Sequence, residues 1–99
     1  MEEKQVVTLD DFFSALSDAI EKKSNLSVSL VINNKRIDGN YQYNNNYELA
    51  GFQNLFVYYY ENSKDYTPTK TFSIEKSPRE KIPTGRIETI RKKVETLIK

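Results

Sequence analysis

The chain has 99 residues, a net charge of +1 and a hydrophobic fraction of 37%, as expected for one small folded domain. It contains neither cysteine nor histidine, which excludes disulfides, thiolate chemistry, and catalysis or metal binding by imidazole. We therefore expect residues 1–99 to form a single domain without a cofactor or metal, with residues 1–7 flexible. The amino terminus lacks the apolar segment of a signal peptide and no run approaches membrane-spanning length, so we expect a cytoplasmic protein.

The first predicted element is an amphipathic helix that begins after Thr8. The threonine hydroxyl can accept a hydrogen bond from the first turn, and Asp10 and Asp11 lie where the helix dipole favours negative charge. Apolar residues then recur at helical spacing: Leu9, Phe12, Phe13, Leu16 and Ile20. We expect this stripe to pack against a sheet and the helix to end before Ser24.

Two alternating segments then predict a β-hairpin. The first segment spans residues 26–32 and places one apolar set on one face: Leu26, Val28, Leu30 and Ile32. Asn33 and Asn34 tolerate the positive φ that a tight turn requires. The return strand spans residues 36–43, and Gly39 interrupts its apolar face, either at a bulge or beneath a neighbouring aromatic ring.

The segment 52–62 holds five of the twelve aromatic residues, and we expect the rest of the chain to be organised around it. Aromatic and β-branched residues suit a strand, whose side chains alternate between two faces. One face carries Leu55, Val57 and Tyr59. The other face carries Phe56, Tyr58 and Tyr60. Because both sets are apolar or aromatic, both faces must be covered or used for binding.

The remaining pattern predicts one more strand and a final helix. Polar loops are expected over residues 44–51 and 62–68, and the segment 69–76 alternates as a strand with Phe72 and Ile74 inward. A short turn with capping-box spacing begins at 77–80. The last helix begins near Thr84, and its apolar stripe comprises Ile87, Ile90, Val94 and Leu97.

These elements predict an α+β fold in the order α-β-β-β-β-α. Four antiparallel strands would form one sheet, with the N-terminal and the C-terminal helix packed on one face. The predicted core comprises Phe12, Phe13, Leu16, Ile20, Leu26, Val28, Leu30, Ile37, Tyr41, Leu55, Val57, Phe72, Ile74, Ile87, Ile90 and Val94.

The other face of the sheet is the predicted binding surface, centred on Phe56, Tyr58 and Tyr60. Val31 is expected to flank these rings. Arg36 and Lys64 are the cations expected nearby, and Lys70 joins them if the start of its strand is irregular. Such a surface can anchor a protein partner or a second copy of the chain, because tyrosine is enriched at interface hot spots. Alternatively, the rings are covered by one of the two polar loops and only pack the fold.

A third alternative is a module that binds single-stranded nucleic acid by stacking bases on these rings. Residues 1–63 carry five basic and nine acidic side chains, whereas residues 64–99 carry ten and five, so cations would come from the C-terminal third. We favour a protein partner, because Asp38, Glu61 and Glu75 balance the bases expected at the rings. Within the last helix, three i,i+4 charge pairs are expected: Glu88–Lys92, Arg91–Glu95 and Glu95–Lys99.

The function expected from the sequence is that of a small non-enzymatic accessory or regulatory protein. A carboxylate-dependent enzyme is the least favoured alternative, because Asp10 and Asp11 are adjacent on a helix and diverge, and no other carboxylate spacing forces convergence. Nine asparagines and the excess of lysine over arginine are typical of AT-rich bacterial, plasmid or phage genomes. No membrane partner is expected.

Overall fold

The computed structural model describes residues 2–44, 51–76 and 80–99, which form a five-stranded mixed sheet and two helices. The elements are β1 (Glu2–Val6), α1 (Leu9–Lys22), β2 (Leu26–Ile32), β3 (Lys35–Asn44), β4 (Phe52–Tyr60), β5 (Lys70–Lys76) and α2 (Thr84–Ile98). The strands lie in the sheet in chain order, with β1 parallel to β2 and every other pair antiparallel. The fold is therefore α+β, and β2 to β5 form a continuous antiparallel part of the sheet beside β1.

The sequence pattern predicts four antiparallel strands, and the structure corrects this by adding β1. This strand pairs with β2 in parallel, with Val6 opposite Leu30, and α1 supplies the crossover that a parallel pair needs. Its residues are mostly charged or polar, and among residues 3–6 only Val6 packs against the core, so no alternation reveals it. The segment expected to be flexible thus contains a paired strand. The predicted order of the other six elements is confirmed.

Both ends of α1 form as the sequence predicts. The Asp11 amide donates to the Thr8 hydroxyl at 3.1 Å, and the helix ends at Lys23, whose φ of 53° is left-handed. The apolar face of α1 lies over β1, β2 and β3. The helix therefore covers the amino-terminal half of the sheet.

Two backbone details set the geometry of the β2–β3 hairpin. Asn33 and Asn34 have φ values of 53° and 64°, so the predicted two-residue turn is confirmed. A Cβ atom on Gly39 would lie 2.8 Å from Phe12 Cζ, which places the buried ring of α1 directly over the glycine. The prediction that Gly39 lies beneath an aromatic ring is confirmed, and it explains how α1 approaches β3 so closely.

The other helix, α2, contacts β4 through Tyr59 and β5 through Phe72 and Ser73. Side chains from the sheet and from the β2–β3 turn bind its last carbonyl groups. The Leu97 carbonyl accepts from Lys35 Nζ and lies 3.1 Å from the Tyr59 hydroxyl, while Asn33 Nδ2 donates to the Ile98 carbonyl. Carbonyls at a helix end otherwise lack partners. The Tyr59 hydroxyl is also 3.0 Å from a Glu61 carboxylate oxygen and can donate to one acceptor at a time. Burial, reinforced by Glu61, raises the pKa of Tyr59.

The core lies between the sheet and the two helices, as predicted. All predicted core residues are buried except Ile20 and Phe72, which are partly buried and pack against the core. The structure adds further buried residues to this set: Ala15, Ala19, Tyr59, Ile82 and Ile98. Two predicted segments, the loop residues 45–50 and the turn residues 77–79, lie outside the described residues.

Two valines test which face of the sheet is buried. Val57 is 0% exposed and Val31 is 58% exposed, so the same truncation should have different effects. Replacing Val57 with alanine should lower the free energy of unfolding by about 2 kcal/mol through lost transfer energy and a cavity. Replacing Val31 with alanine should change it by less than about 0.5 kcal/mol. Urea denaturation measures both, and equal effects would show that the assignment of the two faces is wrong.

Candidate binding surface on the outer face of the sheet

The sheet face turned away from α1 and α2, called here the outer face, is organised in rows across the strands. Paired residues share a face, so the register of the strands assigns each side chain to a row. The first row contains Val31, Arg36 and Tyr60. The second contains Ser29, Asp38, Tyr58 and Thr71, and the third contains Ser27, Asn40, Phe56 and Ser73.

Phe56 and Tyr58 form a stacked pair of rings at the centre of this face, called here the ring pair. Their ring centroids are 5.9 Å apart and their planes differ by 8°. The stacking follows from positions two residues apart on one strand, which place both side chains on the same face. Their neighbours on β3 and β5 are smaller, so the rings form a ridge flanked by short polar side chains. Both rings are partly exposed.

Beside the ring pair, an open trough of about 530 Å³ runs across β1, β2 and β3. Its polar lining includes Glu3, Gln5, Ser27, Ser29, Asp38 and Asn40. These side chains supply hydroxyl, amide and carboxylate groups, so the trough can donate and accept hydrogen bonds along its length. The trough is therefore suited to a ligand whose surface is polar and which also carries groups that pack against the ring pair.

Tyr60, the third predicted ring, is packed rather than available. It is 8% exposed, and the Arg36 guanidinium lies 3.8 Å from its ring centroid. Arg36 also donates to the Ser63 carbonyl at 2.5 Å, to the Asp65 carbonyl at 3.1 Å and to Asp38 at 3.3 Å. Burial disfavours its charge, but Tyr60 and Asp38 together outweigh this and raise the pKa of Arg36. Arg36 therefore holds the loop 61–69 against the first row of the outer face, a contact called here the clamp.

The remaining predicted site residues are only partly brought together. Val31 is exposed beside Arg36 in the first row. Lys70 pairs with Tyr59, so its place in the register is on the helix side of β5, away from the ring pair. The described surface at the rings therefore combines Phe56, Tyr58 and Val31, with Arg36 engaged in packing.

The outer face carries more acids than bases. Asp38 and Glu75 are on this face, and Glu3, which the sequence pattern does not place in a strand, adds a further carboxylate. Glu61 lies on the other side, where it approaches Tyr59 and forms an ion pair with Lys35 at 3.7 Å. Arg36 is the cation that the register places on this face, and it is already paired with Asp38. Lys4 also lines the trough, although its pairing with buried Val28 assigns it to the helix side of β1.

Part of this surface could not be found from sequence patterns. Glu3 and Gln5 join the trough only because β1 pairs with β2, and nothing in their local sequence signals that pairing. Arg36 stacks on Tyr60 because the two are paired across β3 and β4, but its bonds to the loop 61–69 depend on the return of that loop, which no periodicity predicts. Ser27 and Ser29, in contrast, follow directly from the alternation of their strand.

Across residues 2–44, 51–76 and 80–99, no group of three or more acidic side chains is close enough to hold a metal ion. None of the helices in these ranges has the length and apolar character needed to cross a membrane. Comparisons with protein-family models, with curated proteins and with solved structures gave no match.

Arg36 provides a test of how the outer face is built. Replacing Arg36 with alanine should release the loop 61–69 and expose Tyr60, because the stack and the bonds to two loop carbonyls are lost. We expect faster amide hydrogen exchange in this loop and a loss of about 1–3 kcal/mol in unfolding free energy. Lys64→Ala in the same loop is the matched control and should change neither quantity appreciably. Unchanged exchange in the Arg36 variant would contradict the clamp.

Proposed function

We propose that this protein is a small non-enzymatic accessory or regulatory protein that acts by binding a protein partner through the outer face. The observation that carries the proposal is the ring pair, stacked and partly exposed beside an open polar trough. Rigid aromatic side chains provide contact area at low entropic cost, and surrounding polar groups give orientation and specificity. No helix of the described residues covers this face.

The charge on the outer face favours a protein over a nucleic acid. Stacking bases on the rings would bring phosphates near Glu3, Asp38 and Glu75, while Arg36 is occupied by Asp38 and the loop carbonyls. Binding to single strands needs a positive groove along the backbone. The same carboxylates would attract a partner surface that carries lysine or arginine.

An internal contact indicates how a partner side chain could bind. Arg36 stacks on Tyr60 while its Nε donates to Asp38 Oδ2, which combines an aromatic face with a carboxylate. Tyr58 lies next to Asp38 in the second row, and Asp38 Oδ1 takes no part in the bond to Arg36. An arginine of the partner could therefore stack on Tyr58 and bind Asp38 in the same way.

A catalytic role receives less support from the described residues. The trough brings Glu3, Asp38 and Tyr58 to one surface, but it is open, and enzymes usually enclose their reacting groups in a cleft. Asp38 is already the acceptor of an ion pair. The proposal accordingly assigns this surface to binding.

Two tyrosine variants test the proposed surface. Tyr58→Ala removes an outer-face ring, and Tyr66→Ala makes the same change at a loop side chain that is 99% exposed. Both proteins and the unmodified chain would be used as bait in extracts of the source organism, with quantitative mass spectrometry. We expect at least one protein to be retained by the unmodified chain and by Tyr66→Ala, and lost with Tyr58→Ala, because central aromatic anchors dominate interface energy. A partner retained equally by both variants would contradict the proposal.

The nucleic-acid alternative is tested separately with a labelled single-stranded oligonucleotide. We expect no binding to the outer face at low salt, because its carboxylates would face the phosphates. Binding that requires Tyr58 and falls steeply as salt rises would instead assign the surface to nucleic acid, since neutralised phosphates release counterions.

A further inference from the structure

The free edge of the sheet at β5 forms a second surface, distinct from the outer face. Among residues 2–44, 51–76 and 80–99, β5 is the last strand of the sheet and pairs only with β4, and most of its residues are exposed. An edge strand presents unpaired N–H and C=O groups, which can hydrogen-bond to an added strand.

Four cations line this edge on the side of α2: Lys70, Lys76, Arg86 and Lys93. Lys70 and Lys76 are at the two ends of β5 and share its helix-side face with Phe72 and Ile74. From α2, Lys93 Nζ lies 5.9 Å from the centroid of Phe72, and Arg86 reaches the Ser73 carbonyl at 3.4 Å. None of these four side chains forms an ion pair with the described residues.

The acids of α2 lie on its opposite flank. Glu95 is paired with Arg91, which also binds Asp10 of α1, and Glu88 lines the groove between the two helices. Of the three i,i+4 pairs expected in this helix, only Arg91–Glu95 is an ion pair. The flank of α2 beside β5 is therefore basic, and within β5 the single acid is Glu75, on the other face of the strand.

The hydrogen bond from Arg86 also shows which backbone N–H and C=O groups of β5 point away from β4. The Ser73 carbonyl accepts a hydrogen bond from Arg86, so this carbonyl points away from β4. Phe56 and Ser73 are therefore a non-hydrogen-bonded pair of the antiparallel ladder. Backbone direction alternates along an antiparallel strand, so the N–H and C=O groups of Thr71 and Glu75 are turned outward as well. Arg86 contributes one long bond to this edge, which an incoming strand can replace.

We propose that the β5 edge binds an extended acidic segment of a partner protein, which adds to the sheet as a sixth strand. Its main chain would bond to Thr71, Ser73 and Glu75, and every second side chain would fall on the α2 side, among the four cations. Glutamate or aspartate at those positions would supply the opposite charge.

Two other occupants fit less well. A second copy that paired edge to edge would place Lys70 and Lys76 against the same lysines, which repel. A nucleic-acid strand could bind the cations, but its phosphates only accept hydrogen bonds, whereas this edge alternates donors and acceptors. A polypeptide backbone matches both.

The test uses a capped peptide of about ten residues that alternates glutamate and valine, long enough to span the strand. The matched lysine–valine peptide is the control for charge, and a thymidine oligonucleotide of about twenty nucleotides is the control for phosphate binding. Titration at low salt, followed by NMR of the ¹⁵N-labelled protein, should shift the amide signals of Thr71, Ser73 and Glu75 and slow their hydrogen exchange. Only the acidic peptide should do so.

Neighbouring lysines of α2 provide matched variants. Lys93→Glu should weaken binding of the acidic peptide by about tenfold. Lys92→Glu makes the same change about 100° around the helix and should weaken binding by less than about threefold. Ser73→Pro removes an outward N–H without altering charge, is tolerated on an edge strand, and should abolish strand addition. Val31→Ala changes the outer face on β2, three strands away from β5, and should leave this binding unchanged, which separates it from the proposed function of the outer face.

Several results would overturn the inference. These are no binding of the acidic peptide at low salt, equal binding of the lysine–valine peptide, or equal losses with Lys92→Glu and Lys93→Glu. Oligonucleotide binding that is tighter than peptide binding and insensitive to Ser73→Pro would assign the cations to phosphate instead.

Discussion

The hydroxyl of Tyr59 meets the Leu97 carbonyl at the end of α2, while the next ring, Tyr60, lies under the guanidinium of Arg36 on the opposite face. Adjacent tyrosines are thus held by different partners on the two sides of β4. A shift of one residue would exchange every side chain of the strand between the core and the outer face. These contacts agree with the burial of Leu55 and Val57, and they determine which aromatic residues remain exposed on the outer face.

Periodicity predicts much of the fold, and particular residues show where prediction from periodicity fails. The alternation at residues 26–32 predicts a strand, and the helical stripe that contains Phe12 predicts a helix. Patterns of this kind also identify most of the core, because burial on one face imposes these periods. Pairing between distant segments leaves no such local trace. β1 is short and charged and is recognised only from its parallel register with β2. For the same reason, the sequence places Tyr60 with the binding rings, although Arg36 and the following loop cover it.

The uneven charge of the sequence persists in the folded protein. Within the described residues, Arg91–Asp10 is the ion pair that joins the acidic amino-terminal part to the basic carboxy-terminal part. Glu3 of β1 and Asp38 of β3 lie along the trough, whereas Lys70, Lys76, Arg86 and Lys93 follow the β5 edge. Two surfaces of opposite sign therefore lie on one small sheet, and each favours a different partner chemistry.

The division of the β4 rings between core and outer face is the central claim, and hydroxyl-radical footprinting of the free protein tests it most directly. Oxidation rates resolved by residue should be highest for Tyr66, which is 99% exposed, intermediate for Tyr58, and lowest for Tyr59, which is 1% exposed. The order of Tyr58 and Tyr59 follows from the register of β4 alone and requires no partner, and Tyr66 in the loop is the exposed reference. Oxidation of Tyr59 at the rate of Tyr66, with Tyr58 protected, would show that the two faces of β4 are assigned the wrong way round and would contradict the account.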